Sequence, residues 1–394
     1  MNFKDRANFY IDYLKNDIIP FWLNHSLDTE NGGFFTCLDR DGKIFDTDKF
    51  MWLQHRQVWT FSMLYNNVEQ NPVYLKVAKQ GADFLLANGR DKNGDWYFSL
   101  DKEGNPLTQP YNIFSDCFAT MAYAQLFKAT GEERYRDIAK STFFRILERK
   151  DNPKGSYNKQ VTETRSLKGF SLPMILCNLV LEIEHLLPKD QVEEVLHYGV
   201  NEVMNVFYKK ELGVIVENVD QQGNLHDSFD GRLVNPGHGL ESMWFVMDIA
   251  KKWGDQKLIE QCVQISLQTI EYGWDAKHEG IFYFLDMKGC PPQQLEWNQK
   301  LWWVHLEAAI AMLKGYQLTQ NPECLAWYQR LHNYIWKYFV DPAYGEMFGY
   351  LTREGDALLP LKGGKWKGFF HTPRALYQLA TIANEIHNMQ PVRF

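Results

Sequence analysis

The chain alternates between two kinds of apolar stretch. In residues 3–23, 71–88, 132–149, 188–208, 255–274 and 321–339, apolar side chains recur at helical spacing with polar ones between them. That is the pattern of a helix with one face in water. These six stretches are expected as outer helices. Between them lie helical stretches with far less charge, among them Gln57-Val-Trp-Thr-Phe-Ser-Met-Leu-Tyr65, Phe118-Ala-Thr-Met-Ala-Tyr-Ala-Gln-Leu-Phe127 and Leu306-Glu-Ala-Ala-Ile-Ala-Met-Leu313. A helix apolar nearly all round is a buried one.

A third element separates the two. The run from Gly32 to Gly42 recurs from Gly94 to Gly104, Gly213 to Gly223, Gly280 to Gly289 and Gly345 to Gly355; a degenerate copy begins at Gly155. Each is a short aromatic and β-branched run closed by a polar turn, which reads as a strand entering a hairpin. The leading glycines are 58 to 67 residues apart, giving six units of outer helix, hairpin and inner helix. No helix of a unit can bury its apolar face alone, so the units must stack. Neither end carries a polar capping repeat. The expectation is therefore closure: an all-α (α/α)6 barrel of twelve helices, one domain over residues 1–394, with short β-hairpins at one mouth. An armadillo-like open solenoid is the alternative.

Composition narrows the setting. Hydrophobic content of 45% with 23% charged residues is that of a soluble globular protein, and no run approaches a membrane span. The N-terminus lacks a secretory signal pattern, and the six scattered cysteines form no C-x-x-C pair. They read as reduced core thiols in the cytoplasm. A net charge of −7 without a basic stripe argues against a nucleic-acid partner. The expectation is a cytoplasmic homodimer acting on a small molecule, with no membrane or nucleic-acid partner.

Chemistry concentrates at inner-helix starts. In Arg232-Leu-Val-Asn235-Pro-Gly-His238-Gly-Leu-Glu241-Ser-Met-Trp244, a Pro-Gly turn delivers His238 into a first helical turn, and Gly368-Phe-Phe-His371-Thr-Pro-Arg374 repeats the design. The positive end of the helix dipole favours neutral imidazole, so both histidines are expected with lowered pKa values, poised as bases. Counting roughly 22 to 27 residues from each leading glycine reaches Arg56, Asp116, His238, Trp303 to Glu307, and His371; the shorter third unit reaches its helix near Ser171. In a ring these converge on one cavity, with unit six beside unit one and Arg56 near His371.

Two bases across a pocket, with an arginine and carboxylates alongside, suit proton abstraction beside a carbonyl. Arg56 would stabilise the resulting enolate. Return of the proton to the opposite face inverts the carbon, whereas return to the neighbouring carbon turns an aldose into a ketose. Glu241 either orients His238 or holds a substrate hydroxyl, the plain alternative being an ordinary helix-surface carboxylate. Arg374 would help depress the His371 pKa. A glycoside hydrolase would instead need a pair of carboxylates, for which Asp116, Glu241 and Glu307 are available, and would leave the histidines unexplained. No H-x-x-x-H or H-E-x-x-H pair supports a metal site.

Met51-Trp-Leu-Gln-His-Arg56, the His238 stretch, Trp302-Trp303-Val-His-Leu-Glu307 and Lys367-Gly-Phe-Phe-His371-Thr-Pro-Arg374 together resemble the N-acylglucosamine 2-epimerases, relatives of the cellobiose 2-epimerases and mannose isomerases. The resemblance covers essentially the whole chain. It implies an (α/α)6 barrel that interconverts N-acetylglucosamine and N-acetylmannosamine, a sialic acid precursor, at C2 of the open-chain sugar. It further implies His238 and His371 as the catalytic pair, Arg56 on the enolate side, and Trp302, Trp303 and Glu307 at the substrate; position alone adds Glu241 to the catalytic candidates and Arg374 and Asp116 to those for substrate binding. The cellobiose enzymes carry an extra histidine on the third inner helix; here Met174 and Asn178 are the candidates for facing the pocket. The resemblance also brings ATP as an activator that is not consumed, with Arg149, Lys150, Lys154 and Gly155 as the candidate loop, although this is no Walker A sequence and a solvated basic turn is the plain reading. A renin-binding type of interaction protein is the reading from a different class.

Overall fold

A computed structural model describes residues 2–159, 161 and 163–389 of the chain. Its helices are α1 (Phe3–Tyr13) and α2 (Ile19–His25), joined without a break by a π-turn, then α3 (Met51–Asn67), α4 (Pro72–Asn88), α5 (Ile113–Thr130), α6 (Glu133–Arg149), α7 (Ser171–Ile183) and α8 (Lys189–Asn201). They continue as α9 (Pro236–Trp253), α10 (Gln256–Gly273), α11 (Trp302–Thr319), α12 (Pro322–Tyr338) and α13 (His371–Met389). Local chemistry sets their starts. Asn71, Asn112, Asn235, Asp255 and Asn321 each accept a backbone N–H from the first turn, and Pro72, Pro236 and Pro322 occupy first positions where no N–H is needed.

The low-charge helices α3, α5, α7, α9, α11 and α13 form the inner layer, each packed on the next in that order. The amphipathic ones form the outer layer, with α1 and α2 acting as one. Closure is direct. Thr60 Oγ1 of α3 donates to the Phe369 carbonyl at 2.6 Å, and the Trp59 and Phe370 rings lie 5.0 Å apart. Outside, α1 packs on α13, and Tyr10 bonds to His332 Nδ1 of α12 at 3.0 Å. The first and last units meet, so the barrel is an (α/α)6 ring and not an open solenoid.

Short strands stitch the rim. Lys49–Phe50 pairs with Ser99–Leu100, Leu167–Gly169 with Asn218–Asp220, Leu233–Val234 with Leu285–Asp286, and Lys300–Leu301 with Tyr350–Leu351, all antiparallel. Leu38 exchanges backbone hydrogen bonds with Lys362 and Gly363, carrying the same pattern from unit six to unit one. The leading glycines of all six units have left-handed φ, between +53° and +88°, a backbone that side chains resist. Buried lysines tie the rim further: Lys49 to Asp28 at 2.7 Å, Lys300 to Asp275 at 3.2 Å and Lys362 to Asp341 at 3.0 Å.

Five cysteines are buried as expected, but Cys290 is exposed in the loop after the fifth hairpin. No helix among the described residues is long and apolar enough to cross a membrane.

The segment leading into α13 is fixed by Glu346. This fully buried carboxylate accepts from Trp22 Nε1 at 2.6 Å, Lys367 Nζ at 3.1 Å and Thr372 Oγ1 at 3.1 Å. Removing one partner of a buried ion pair strands the other charge. Glu346→Ala is therefore expected to destabilise the fold by roughly 3–5 kcal/mol, measured by denaturant unfolding; a midpoint matching that of the parent protein would show that Lys367 finds other partners.

Candidate active site

His238 is the third residue of α9. Asn235 follows the preceding strand in an extended conformation and its side chain accepts the His238 N–H at 3.2 Å, fixing where the helix begins. Gly237 lets that start approach α11: a Cβ there would lie 2.8 Å from Val304 Cγ2 and 2.9 Å from Trp303 Cη2. As a result the His238 and Trp303 rings sit 5.2 Å apart. His371, the first residue of α13, also packs against Trp303, at 5.6 Å, and stands edge-on to Trp302 at 6.0 Å.

A carboxylate holds each imidazole by Nδ1. For His371 it is Glu307, at 2.8 Å; for His238 it is Glu217, at 3.0 and 3.1 Å to its two oxygens. Nε2 of each ring has no protein hydrogen-bond partner among the described residues. Glu307 also accepts from Arg374 Nη2 at 2.7 Å and Trp244 Nε1 at 2.9 Å, and Arg374 bonds to Glu241 as well. Arg56 is built differently. Its guanidinium is stacked among Trp52, Phe118 and Phe370, with centroid distances of 4.5, 4.0 and 4.7 Å, and it has no carboxylate partner among the described residues. Burial, with Arg374 nearby, brings Arg56 down to about 9, so it still carries its charge at neutral pH.

The two histidines were expected to behave alike, and they do not. Burial, followed by the Arg56 and Arg374 charges, holds His371 well below the usual histidine range. Burial opposes the charge on His238 too, but Glu217 and Glu241 outweigh it and raise that pKa. A helix start is a weak perturbation beside a carboxylate at 3.0 Å. The orienting role considered for Glu241 falls to Glu217, while Glu241 is turned to Arg374.

The structure thus gathers His238, His371, Arg56, Glu241, Trp302, Trp303, Glu307 and Arg374. Met174 and Asn178 are buried on α7, Asn178 Oδ1 without a hydrogen-bond partner, and neither is hydrogen-bonded to the cluster. Asp116 is drawn outward to Arg149 of α6, 3.5 Å away, and burial pushes its carboxyl up to about 7. Arg149 is committed to Asp116, Asp95 and the Pro153 carbonyl. Lys150 pairs with Asp151, Lys154 is exposed, and Gly155 opens a short 3-10 turn. Glu241, Glu307 and His371 have ligand atoms within 4.8 Å of one another, the makings of a cation site, yet the Arg374 guanidinium bonds both carboxylates and supplies the positive charge there.

Glu217 was missed, although its signal lay in the repeat. Two residues beyond the hairpin bridge residues Phe34, Trp96, Ile281 and Met347 stand Thr36, Phe98, Tyr283 and Gly349; in the fourth unit, two beyond Ile215, stands a glutamate.

Fold and site together define a barrel enzyme of the sugar epimerase and isomerase type. The sequence matches the profile of the N-acylglucosamine 2-epimerase (GlcNAc 2-epimerase) family over residues 33–375. It is 39% identical to the N-acylglucosamine 2-epimerase of Rattus norvegicus over 92% of this chain and 88% of that one. Among solved structures, cellobiose 2-epimerase from Bacillus thermoamylovorans B4167 superposes with a TM-score of 0.83 at 20% identity, covering 96% of this chain and 99% of that one. A D-mannose isomerase superposes at 0.81 with 17% identity, covering 96% and 98%. The chain belongs to the N-acylglucosamine 2-epimerase family and is an epimerase.

Gly237→Ala tests whether the close approach of α9 to α11 sets the site. The added Cβ must displace Trp303 or Val304, and a shift of about 1 Å costs on the order of 10²-fold in rate. Turnover should fall by about that factor with far-UV circular dichroism unchanged; wild-type turnover would show that the spacing is not critical.

Proposed function

We propose that this epimerase interconverts N-acetylglucosamine and N-acetylmannosamine through proton transfer at C2 by His238 and His371. The observation that carries the reading is the pair of imidazoles that both pack against Trp303, each held by Nδ1 on a carboxylate and each with Nε2 unpartnered among the described residues. A carboxylate on Nδ1 fixes the tautomer and leaves Nε2 as the working nitrogen. One Nε2 takes the C2 proton of the open-chain sugar and the C2–H electron pair moves into the carbonyl. The oxyanion so formed needs a fixed cation in a dry site, and Arg56 meets that description. The other Nε2–H then protonates C2 from the opposite face as the carbonyl re-forms.

The N-acyl sugar is favoured by the relatives of that name at about 39% identity, against 23% for the cellobiose 2-epimerase of Dictyoglomus turgidum. Glycoside hydrolysis is disfavoured because Glu241 and Glu307 are both bound to Arg374 and neither is free as a nucleophile or acid.

Reaction in D₂O decides among these readings. Two bases predict that the product carries deuterium at C2 from the first turnover while recovered substrate does not. Deuterium in both from the start would indicate one base, and an inert acetamido sugar beside a reacting mannose or cellobiose would overturn the substrate assignment. His238→Ala and His371→Ala should each lower turnover by roughly 10²-fold or more. Near-normal turnover in either variant would remove that histidine from the mechanism.

A further inference from the structure

The carboxylates behind the two histidines differ in what else they hold. Glu307 receives Arg374 and Trp244 in addition to His371, so its negative charge is largely neutralised before the imidazole is considered, and Arg374 Nη2 lies 3.5 Å from His371 Nδ1. Glu217 has no arginine or lysine partner among the described residues, and both its oxygens lie within reach of His238 Nδ1. Its backbone is clamped on two sides: its N–H donates to the Leu233 carbonyl at 2.9 Å and its carbonyl accepts from Phe170 N at 2.9 Å. The carboxylate is thus carried on a rigid bridge between units three and four.

We infer that Glu217 is a positioning residue that keeps the resting proton on His238, so that the free enzyme waits with His238 as acid and His371 as base. This rests on the two-histidine reading above. The groups around His238 are Glu217 from the fourth hairpin, Glu241 from its own helix, Trp303 from α11, against which Tyr283 of the fifth hairpin also packs, and His371, which shares the Trp303 contact. Both carboxylates favour the charged imidazole. On the other side, Arg56 and Arg374 disfavour it at His371. The ordinary direction of the first step follows: the C2 proton goes to His371 Nε2, and the proton already on His238 Nε2 goes to C2 from the far face. Each turnover leaves the proton on the wrong histidine, and exchange with solvent water returns the pair to rest. In the reverse direction substrate must meet the less populated tautomer.

The signs for pH follow directly. Activity is lost at low pH as His371 gains a proton and at high pH as His238 loses one. Glu217→Gln keeps a hydrogen-bond acceptor but removes the charge, so the alkaline limb of kcat/KM should move to lower pH by roughly one unit or more, the scale of an adjacent opposite charge. The acid limb should stay in place, and Glu217→Asp should restore most of the alkaline limb. A uniform loss of rate across the pH range, with neither limb moved, would overturn the proposal. Nitrogen-15 spectra of histidine-labelled wild-type protein test it without a variant that must fold. At neutral pH His238 should be imidazolium and His371 neutral with its proton on Nδ1; the opposite assignment overturns it. These failures are separable from failure of the underlying reading, which would appear as wild-type protein that exchanges no deuterium into an N-acetylhexosamine.

Discussion

The arrangement of the site depends on one buried carboxylate, Glu307. It ties three helices together: α11 carries it, α13 sends His371 and Arg374, and α9 sends Trp244. A carboxylate stripped of water costs several kcal/mol unless its lone pairs are filled, and here three donors fill them. Those donors are among the residues gathered at the candidate site. Removing Glu307 would leave Arg374 with Glu241 alone and His371 without its tautomer-fixing partner. The network is therefore a device for position as much as a source of stability, since an apolar replacement of equal volume would satisfy packing but hold no imidazole.

Arg56 illustrates the opposite strategy. An arginine paired with a carboxylate offers an incoming oxyanion little net charge, whereas Arg56 is surrounded by the faces of Trp52, Phe118 and Phe370. Cation–π contacts steady the guanidinium without neutralising it. Its buried charge remains available to a developing negative charge, and the absence of water makes that interaction stronger than it would be in bulk solvent. Arg374 is tied to two glutamates and Arg56 to none among the described residues, which is why the oxyanion is assigned to Arg56 in the proposed mechanism.

Much of this was legible in the sequence, and the division has a physical basis. Helical periodicity and the recurring glycines are local properties, so the six units, their order and the convergence of inner-helix starts could be read from spacing alone. Pairings between carboxylates and cations are not local. Glu217 reaches His238 across 21 residues, Glu307 reaches His371 across 64, and Asp116 is claimed by Arg149 from the outer layer. The repeat marks Glu217 as an exception at its position but does not say what it binds, and the other two pairings depend on which units become neighbours. For that reason the two histidines looked equivalent in sequence and proved opposite in electrostatic setting.

Ring closure and the site are also the same set of contacts. His371 stands at the end of the segment in which Lys362 and Gly363 bond to Leu38 of unit one, Phe369 accepts from Thr60 of α3, and Phe370 lies over Arg56. Lys367 and Thr372 fasten that segment to Glu346, which Trp22 of the first outer helix also holds. An open array of the same six units would keep His238, Trp303 and Glu307 together but would leave Arg56 at the far end from His371. Closing the ring is what sets Arg56 beside His371, so under the proposed mechanism the reaction and the closure depend on the same residues.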